Sequence, residues 1–386
     1  MKKKIVFLTG TRADYGKIKS LIKSIYNNRK YTIHILVTGM HLSKKYGSTF
    51  EEIQKDFPRI KLNKFANMKE KDSMDLTLSK TINFINKIFF KIKPDLIMLH
   101  GDRLETLAAA IVGNFNKFLV AHIEGGEISG AIDESIRHAV SKLSNIHLVS
   151  NQSAKRNLIQ MGEFKKNIYV MGSPEVDIMI SKKLPSLNMV KKRYAIEFKK
   201  YSIFCLHSDT NENRKQTDKN INNCILALKK TNHNYVVIYP NNDINSDVIL
   251  SKLLKLKKHK NFKIFPSMRF EYFLSLLKNS SYIIGNSSTV VRETPVYGIP
   301  SINLGYRQKN RGISNNIISC KIKQKSIFTT IKKLSTINRR KQMIFGDGNS
   351  SKKFIKILDR KYFWETSKIK SFNKLNFNEN HPFTRN

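Results

Sequence analysis

Cysteine is scarce in this 386-residue chain: Cys205, Cys224 and Cys320 are the only three, far apart and without CxxC spacing. Neither a disulfide framework nor a structural zinc site is expected from them. Cys205, in an Ile-Phe-Cys-Leu run, reads as a small buried apolar residue. Long apolar runs are missing too, since none approaches the roughly 20 residues that a bilayer-spanning helix needs. The start superficially resembles a signal peptide, but its apolar stretch is only Ile5 to Leu8 before Thr9, Gly10 and Arg12 intervene. A cytoplasmic location is therefore expected. Acidic residues are the third shortage: 29 Asp and Glu stand against 70 Lys and Arg, a formal net charge of +41.

Such a balance suits a nucleic-acid binder, because basic surfaces attract phosphates and release counterions. It equally suits a lysine- and asparagine-rich composition spread over every solvent-facing position. The lysines are scattered along the whole chain, with no RNP motif, zinc finger or helix-turn-helix signature. No specific nucleic-acid partner is expected, although the positive potential favours any anionic substrate. What the chain does have is core: 40% hydrophobic and 10% aromatic residues exclude wholesale disorder.

Short apolar runs alternate with helical patterns along the chain. Strands are expected at 5–8, 33–38, 96–99, 118–123 and 146–149, with helices at 77–92, 104–112 and 132–143 between them. Residues 181–200, lysine-rich and carrying Leu-Pro-Ser, read as a linker. The alternation then restarts, with strands at 202–206, 235–239, 262–265, 282–284 and 301–304 and a helix at 289–297. Short continuous apolar strands separated by helices mark a parallel sheet covered on both faces. Two doubly wound α/β units imply a cleft between them, with ligands beyond the carboxyl ends of the strands.

The polar residues fall there. Gly10-Thr11-Arg12-Ala13-Asp14-Tyr15-Gly16 follows the first strand, His100-Gly101-Asp102-Arg103-Leu104-Glu105 a later one, and His122-Ile123-Glu124-Gly125-Gly126-Glu127 the next. Asp102, Glu124, Glu127, Asp133 and Glu134 concentrate carboxylates in a chain that has few, and crowded carboxylates acquire split pKa values suited to acid and base roles. Asp102 can instead cap a helix, and Asp133-Glu134 can be a solvated helix start. In the second unit His207-Ser208-Asp209-Thr210, Pro240-Asn241-Asn242-Asp243 and Gly285-Asn286-Ser287-Ser288 each follow a strand. Gly-Asn-Ser-Ser offers hydroxyls and N–H groups to a diphosphate, Glu293 an acceptor for ribose hydroxyls, and Arg307 and Arg311 two late guanidinium groups. Turn and capping roles remain open for each alone.

As an ordered set, Gly10-Thr-Arg-Ala-Asp-Tyr, His100-Gly-Asp-Arg, His122-Ile-Glu-Gly-Gly-Glu-Ile-Ser-Gly, Ser135-Ile-Arg-His, Gly285-Asn-Ser-Ser and Gly305-Tyr-Arg-Gln resemble the hydrolysing UDP-N-acetylglucosamine 2-epimerases. The resemblance implies a GT-B fold, two Rossmann-like domains facing across a cleft. It sets domains at 1–180 and 201–350 around the 181–200 linker, a helix at 351–370 packing back on the first domain, and a frayed polar tail at 371–386. It implies conversion of UDP-GlcNAc and water to ManNAc and UDP for sialic acid synthesis, by a homodimer or higher homo-oligomer, with no metal or redox cofactor. Asp102, Glu127 and Asp133 are then the acid/base candidates, and His207 assists UDP departure. Arg12, Arg103, Asn241, Met268, Ser287, Ser288, Glu293 and Arg307 match positions that hold UDP. His207-Ser208-Asp209-Thr210 departs from the family's usual His-Pro-Val-Thr, and the new carboxylate is expected to raise the histidine's pKa or repel the diphosphate. Non-hydrolysing relatives read Gly-Asp-Thr-Thr-Thr and His-Val-Glu-Ala-Gly-Leu-Arg; Arg103 and Gly125-Gly126-Glu127 favour the hydrolysing group. UDP-N,N'-diacetylbacillosamine or a GDP-linked sugar remains an alternative substrate, and a non-catalytic sugar-nucleotide or nucleic-acid binder an alternative of another class.

Overall fold

The computed structural model describes residues 2–44, 47–67, 72–130, 132–209, 211–241, 243–309, 311, 314–337 and 339–374. Thr210 and Asn242, in two of the motifs above, and the tail from 375 lie outside the described residues. The strands β1 (Lys3–Thr9), β2 (Tyr31–Val37), β3 (Leu62–Lys64), β4 (Leu96–His100), β5 (Val120–Ile123), β6 (Ile146–Val149) and β7 (Ile168–Val170) form a seven-stranded sheet. Its order is β3-β2-β1-β4-β5-β6-β7. A second, six-stranded sheet contains β8 (Ser202–Cys205), β9 (Tyr235–Ile238), β10 (Phe262–Phe265), β11 (Ile283–Gly285), β12 (Ser301–Leu304) and β13 (Ile317–Cys320), in the order β10-β9-β8-β11-β12-β13. All pairings are parallel. This is the expected α/β architecture, two Rossmann-like domains of GT-B type. Each strand order reverses once, between β1 and β4 and between β8 and β11, where such sheets open a crevice for ligands.

Period-two burial explains why these runs are strands. Ile5 and Phe7 of β1 pack under the helix Arg12–Ile25, against Ile18, Leu21 and Ile22. Val6 and Leu8 face the opposite layer, against Ile85, Phe89 and Ala109. Successive side chains of a strand point to opposite faces, so an uninterrupted apolar run serves two cores. The helix Arg12–Ile25 starts where Thr11 accepts the Asp14 N–H at 3.1 Å. The helix Met74–Ile92 ends at Lys93, left-handed at φ 52°, because Pro94 cannot continue it.

The differences from expectation have local causes. Strands β3, β7 and β13 are not anticipated because each has only three or four residues and lies at a sheet edge. The 181–200 stretch carries the helix Leu187–Arg193, and its buried Val190 joins Ile203 and Leu276 in the second domain's core. The single helix expected at 289–297 is two, Thr289–Arg292 and Thr294–Tyr297, since Pro295 lacks the N–H that would continue the first. The helix Ser350–Leu358 returns to the first domain, burying Phe354, Ile357 and Leu358 in its core. The Asp177 carboxylate accepts the Ser350 and Ser351 N–H groups at 2.9 and 2.8 Å and so caps it. The chain does not fray at once beyond it: Lys370 pairs with Glu163, and the Asn373 N–H donates to Gly162 at 3.0 Å.

The chain crosses between the domains at two places that lie side by side. The Ser173 N–H donates to the Phe345 carbonyl at 2.6 Å, and a Cβ on Gly346 would come within 2.8 Å of the Gly172 Cα. Gly346 is also at φ 132°, open only to glycine, so this close backbone pairing depends on it twice over. Val176, Met179 and Phe345 from the crossings pack with Phe270, Leu274 and Val296 of the second domain. Of that cluster, Phe270 also lines the cleft between the domains. Among the described residues no helix is long and apolar enough to cross a membrane.

Candidate active site

The first domain delivers its charged side chains from the ends of β1, β4 and β5. After β1, Arg12 donates to Glu52 at 2.8 Å and reaches over the cleft to Ser267 at 2.8 Å. After β4, Asp102 is ion-paired with Arg137, whose guanidinium is fully buried and also donates to the Glu127 carbonyl (3.0 Å) and Ser129 (3.1 Å). Burial opposes the Asp102 charge, but Arg137 and Arg311 outweigh it and hold the carboxyl far below the usual carboxylate range. Within β5, His122 is buried and fixed between the Gly101 carbonyl (2.8 Å) and Ser141 (3.0 Å). Burial pulls its pKa down to about 3, so it is a neutral structural imidazole.

Glu124, the next polar residue, has a left-handed backbone at φ 67°. That conformation costs a non-glycine residue of order 1–3 kcal/mol and persists where surrounding structure enforces it. The buried carboxylate meets His100 Nε2 at 3.2 Å, Lys17 at 3.9 Å, Arg311 at 3.7 Å and Arg292 at 2.6 Å. Burial again opposes the charge and the cations, Arg292 first, prevail; the Glu124 pKa lies well below normal. Glu127, also buried, accepts from Ser150 at 2.9 Å and from Arg292 and Arg311.

Asp133, half-buried at the start of the helix Ile132–Leu143, behaves oppositely. Burial and the neighbouring Asp102 and Asp243 raise its pKa against the pull of Arg307, 3.0 Å away. Ionised Glu124 and Asp102 thus stand near a carboxyl whose proton is held more tightly, the divergence expected of acid/base partners.

From the second domain, His207 follows β8. The Asn241 N–H donates to its Nδ1 at 3.0 Å, leaving the ring proton on Nε2, and Asn286 clasps its backbone N–H and carbonyl at 2.7 and 2.8 Å. Burial, Arg307 and Arg103 lower its pKa well below normal. Asp209 does not raise the histidine's pKa: its carboxylate accepts the Asn211 N–H at 3.0 Å within its own turn and lies outside the cleft lining, although its charge still acts on Arg307. Ser208 is turned away as well. Arg307 is gripped from both domains, by Asp133 and, at 3.5 Å, by Asp243. Glu293 is buried with Oε2 unpartnered; burial and Glu175 push its pKa to about 7 against Lys17 and Arg292. Cys205 is not merely core: it faces the cleft, its thiol pushed up to about 11 by burial.

These groups enclose a cavity of about 270 Å³ between the domains. Asp102, Asp133, His207, Arg12, Arg103, Asn241, Met268, Ser287, Ser288, Glu293 and Arg307 all line it, and Glu127 does not. Glu124, one of the crowded carboxylates but not among the acid/base candidates of the resemblance, does, and so do Lys17 and His100. Glu124 has the better strand-end signal, directly after Ile123, whereas Glu127 lies beyond two glycines. Among the described residues no group of three or more His, Cys, Asp or Glu side chains is arranged to hold a metal ion.

The family model for UDP-N-acetylglucosamine 2-epimerase matches residues 23–359. The chain belongs to the UDP-N-acetylglucosamine 2-epimerase family. A Neisseria meningitidis UDP-N-acetylglucosamine 2-epimerase is 42% identical over 379 residues, covering 97% of this chain and 100% of its own. A Legionella pneumophila UDP-N,N'-diacetylbacillosamine 2-epimerase (hydrolyzing) is 30% identical over 364 residues, covering 93% of this chain and 96% of its own. In fold, this family member superposes on the crystal structure of a Neisseria meningitidis UDP-GlcNAc 2-epimerase bound to UDP-GlcNAc with a TM-score of 0.79. That match is 21% identical and covers 92% of this chain and 99% of the other. The epimerase cleft described above is thus the space between the domains of a shared architecture.

Proposed function

We propose that the protein is a hydrolysing UDP-GlcNAc 2-epimerase, converting UDP-GlcNAc and water to ManNAc and UDP. The observation that carries this reading is the cleft itself, with carboxylates of divergent basicity on one wall and arginines, hydroxyls and a neutral histidine on the other. UDP leaves C1 with the C1–O bonding pair while a carboxylate takes the C2 proton, and the C2–H electrons form the double bond of 2-acetamidoglucal. Water then adds at C1 and a proton returns to the opposite face of C2. Inversion needs proton transfer on two faces, hence two groups.

Glu124 takes the base role that the motif match gives to Glu127, because it is ionised and faces the cleft. Asp133 is the acid, and Asp102 a fixed negative charge that favours the cationic side of the developing transition state. Arg103 and Arg307 with Ser287 and Ser288 hold the diphosphate by charge-assisted hydrogen bonds. His207 donates from Nε2 to the departing phosphate as a neutral group. Glu293 faces the ribose hydroxyls, Met268 the uracil, and Arg12 and Asn241 close the site. The chain's own residues supply every acid, base and counter-charge in this scheme, which draws on no metal or redox cofactor. In keeping with the resemblance, the enzyme works in the cytoplasm as a homodimer or larger assembly, supplying sialic acid synthesis.

A second substrate is favoured by one feature. Met40, Met74, Leu104 and Ile136 make part of the cleft's first-domain wall apolar, a surface suited to the methyl and acetamido groups of UDP-N,N'-diacetylbacillosamine. Incubation with each nucleotide sugar, followed by anion-exchange separation, decides between them. Free ManNAc with UDP is expected from UDP-GlcNAc; UDP-ManNAc would place the enzyme in the non-hydrolysing class, and turnover of the bacillosamine nucleotide alone would replace the substrate.

A further inference from the structure

Arg292 comes from the second domain, is fully buried and does not line the cleft, yet most of its polar partners belong to the first domain. Nη2 lies 2.6 Å from Glu124 and donates to Ser173 at 2.8 Å; Nε donates to Glu175 at 2.7 Å, and Nη1 to Glu127. The Phe345 ring lies 4.4 Å from the guanidinium carbon. Ser173 and Glu175 belong to the first crossing between the domains and Phe345 to the second. One side chain therefore ties together both crossings and the carboxylate that faces the cleft.

We propose that Arg292 is a positioning residue, which beside the two domain crossings holds Glu124 in its proton-accepting orientation, so that the second domain completes the base of the first. This inference rests on the reading of Glu124 as the group that takes the C2 proton. A carboxylate that is 2% exposed on a left-handed backbone cannot stay charged or still without compensation. Lys17, His100 and Arg311 face it from three other elements, and Asp102, Glu175 and Glu293 oppose them. Arg292 is the nearest cation, and only a planar fork can serve Glu124 and Glu127 at once. Ser287 and Ser288 immediately precede its short helix, so the diphosphate-facing loop and the base share one mechanical unit.

The test compares the wild type with Arg292→Gln and Arg292→Lys in the full chain. In the Gln variant kcat is expected to fall roughly a hundredfold with the Kd for UDP within threefold, and the acidic limb of the kcat profile to move to higher pH. The Lys variant restores charge without the fork and recovers about tenfold of that loss. If the Gln variant does not fold, the Lys variant carries the same readouts. Carboxyl-13C glutamate labelling follows Glu124 independently of turnover, its signal assigned by its loss in Glu124→Gln. The signal is expected to titrate well below the usual carboxylate range in the wild type and to move to higher pH in the variants. A kcat within threefold of wild type, or a lowered Tm with an unmoved pH profile and an unmoved Glu124 signal, overturns the proposal. A wild type without turnover defeats the functional reading instead, and the carboxyl titration still decides the role of Arg292.

Discussion

The two domains share a topology and differ in the side chains placed just past their strand ends. Beyond β1, β4 and β5 the first presents Asp14, Asp102, Glu124 and Asp133; beyond β8, β9, β11 and β12 the second presents His207, Asn241, Ser287, Ser288 and Arg307. The first wall carries most of the cleft's carboxylates and the second most of its hydroxyls, while the arginines come from both, Arg12 and Arg103 from the first and Arg307 from the second. The sheets themselves are interchangeable in this respect: both are parallel, buried on two faces and reversed once in order. Function lies in the few residues past each strand end, and the domains meet chemically at Arg292.

If that division holds, lesions on the two walls have different kinetic signatures. The largest effect is expected from Glu124→Gln, which should lower kcat roughly a thousandfold while UDP binds within threefold of wild type, measured by initial rates and calorimetry. Next, Arg307→Ala should weaken UDP roughly 30- to 100-fold, the loss of a charge-assisted contact worth about 2–3 kcal/mol. Equal damage to kcat and binding from both substitutions would erase the distinction between the walls.

A smaller effect concerns Glu293. Its proton is lost as pH rises through about 7, and the resulting carboxylate adds a negative charge where an anion must bind. Bound diphosphate favours the protonated form, so UDP binding takes up a proton and affinity falls as pH rises above 7. Calorimetric titrations between pH 7 and 8.5 should show this decline, and Glu293→Gln should flatten it. The smallest effect belongs to Glu127→Gln. Glu127 lies behind the cleft and shares Arg292 with Glu124 and Glu175, so kcat should change no more than about fivefold; a thousandfold loss there would return the base role to Glu127.

Much of this site is legible in the sequence because short apolar strands declare their own ends. Once those ends are located, Arg12, Asp102, Arg103, His207, Asn241, Ser287 and Arg307 follow by position. The illegible part depends on distance along the chain. Arg292 and Glu124 are 168 residues apart, and neither local pattern mentions the other. The preference for Glu127 over Glu124 rests on the motif match, whereas the side chain of Glu127 is directed to Ser150 and Arg292 and away from the cleft. Asp209, two residues past His207, suggests an electrostatic partner, but its carboxylate accepts the Asn211 N–H within its own turn. The edge strand β3 escapes a reading by apolar pattern because its partly exposed residues Leu62, Asn63 and Lys64 include one apolar side chain.

The most direct test of carboxylate-driven chemistry at C2 is proton NMR of the wild-type reaction with UDP-GlcNAc in heavy water. Proton removal and return through the first-domain wall require ManNAc carrying deuterium at C2, formed together with free UDP. ManNAc that keeps its original C2 proton would contradict elimination through the glycal, and with it the role of Glu124.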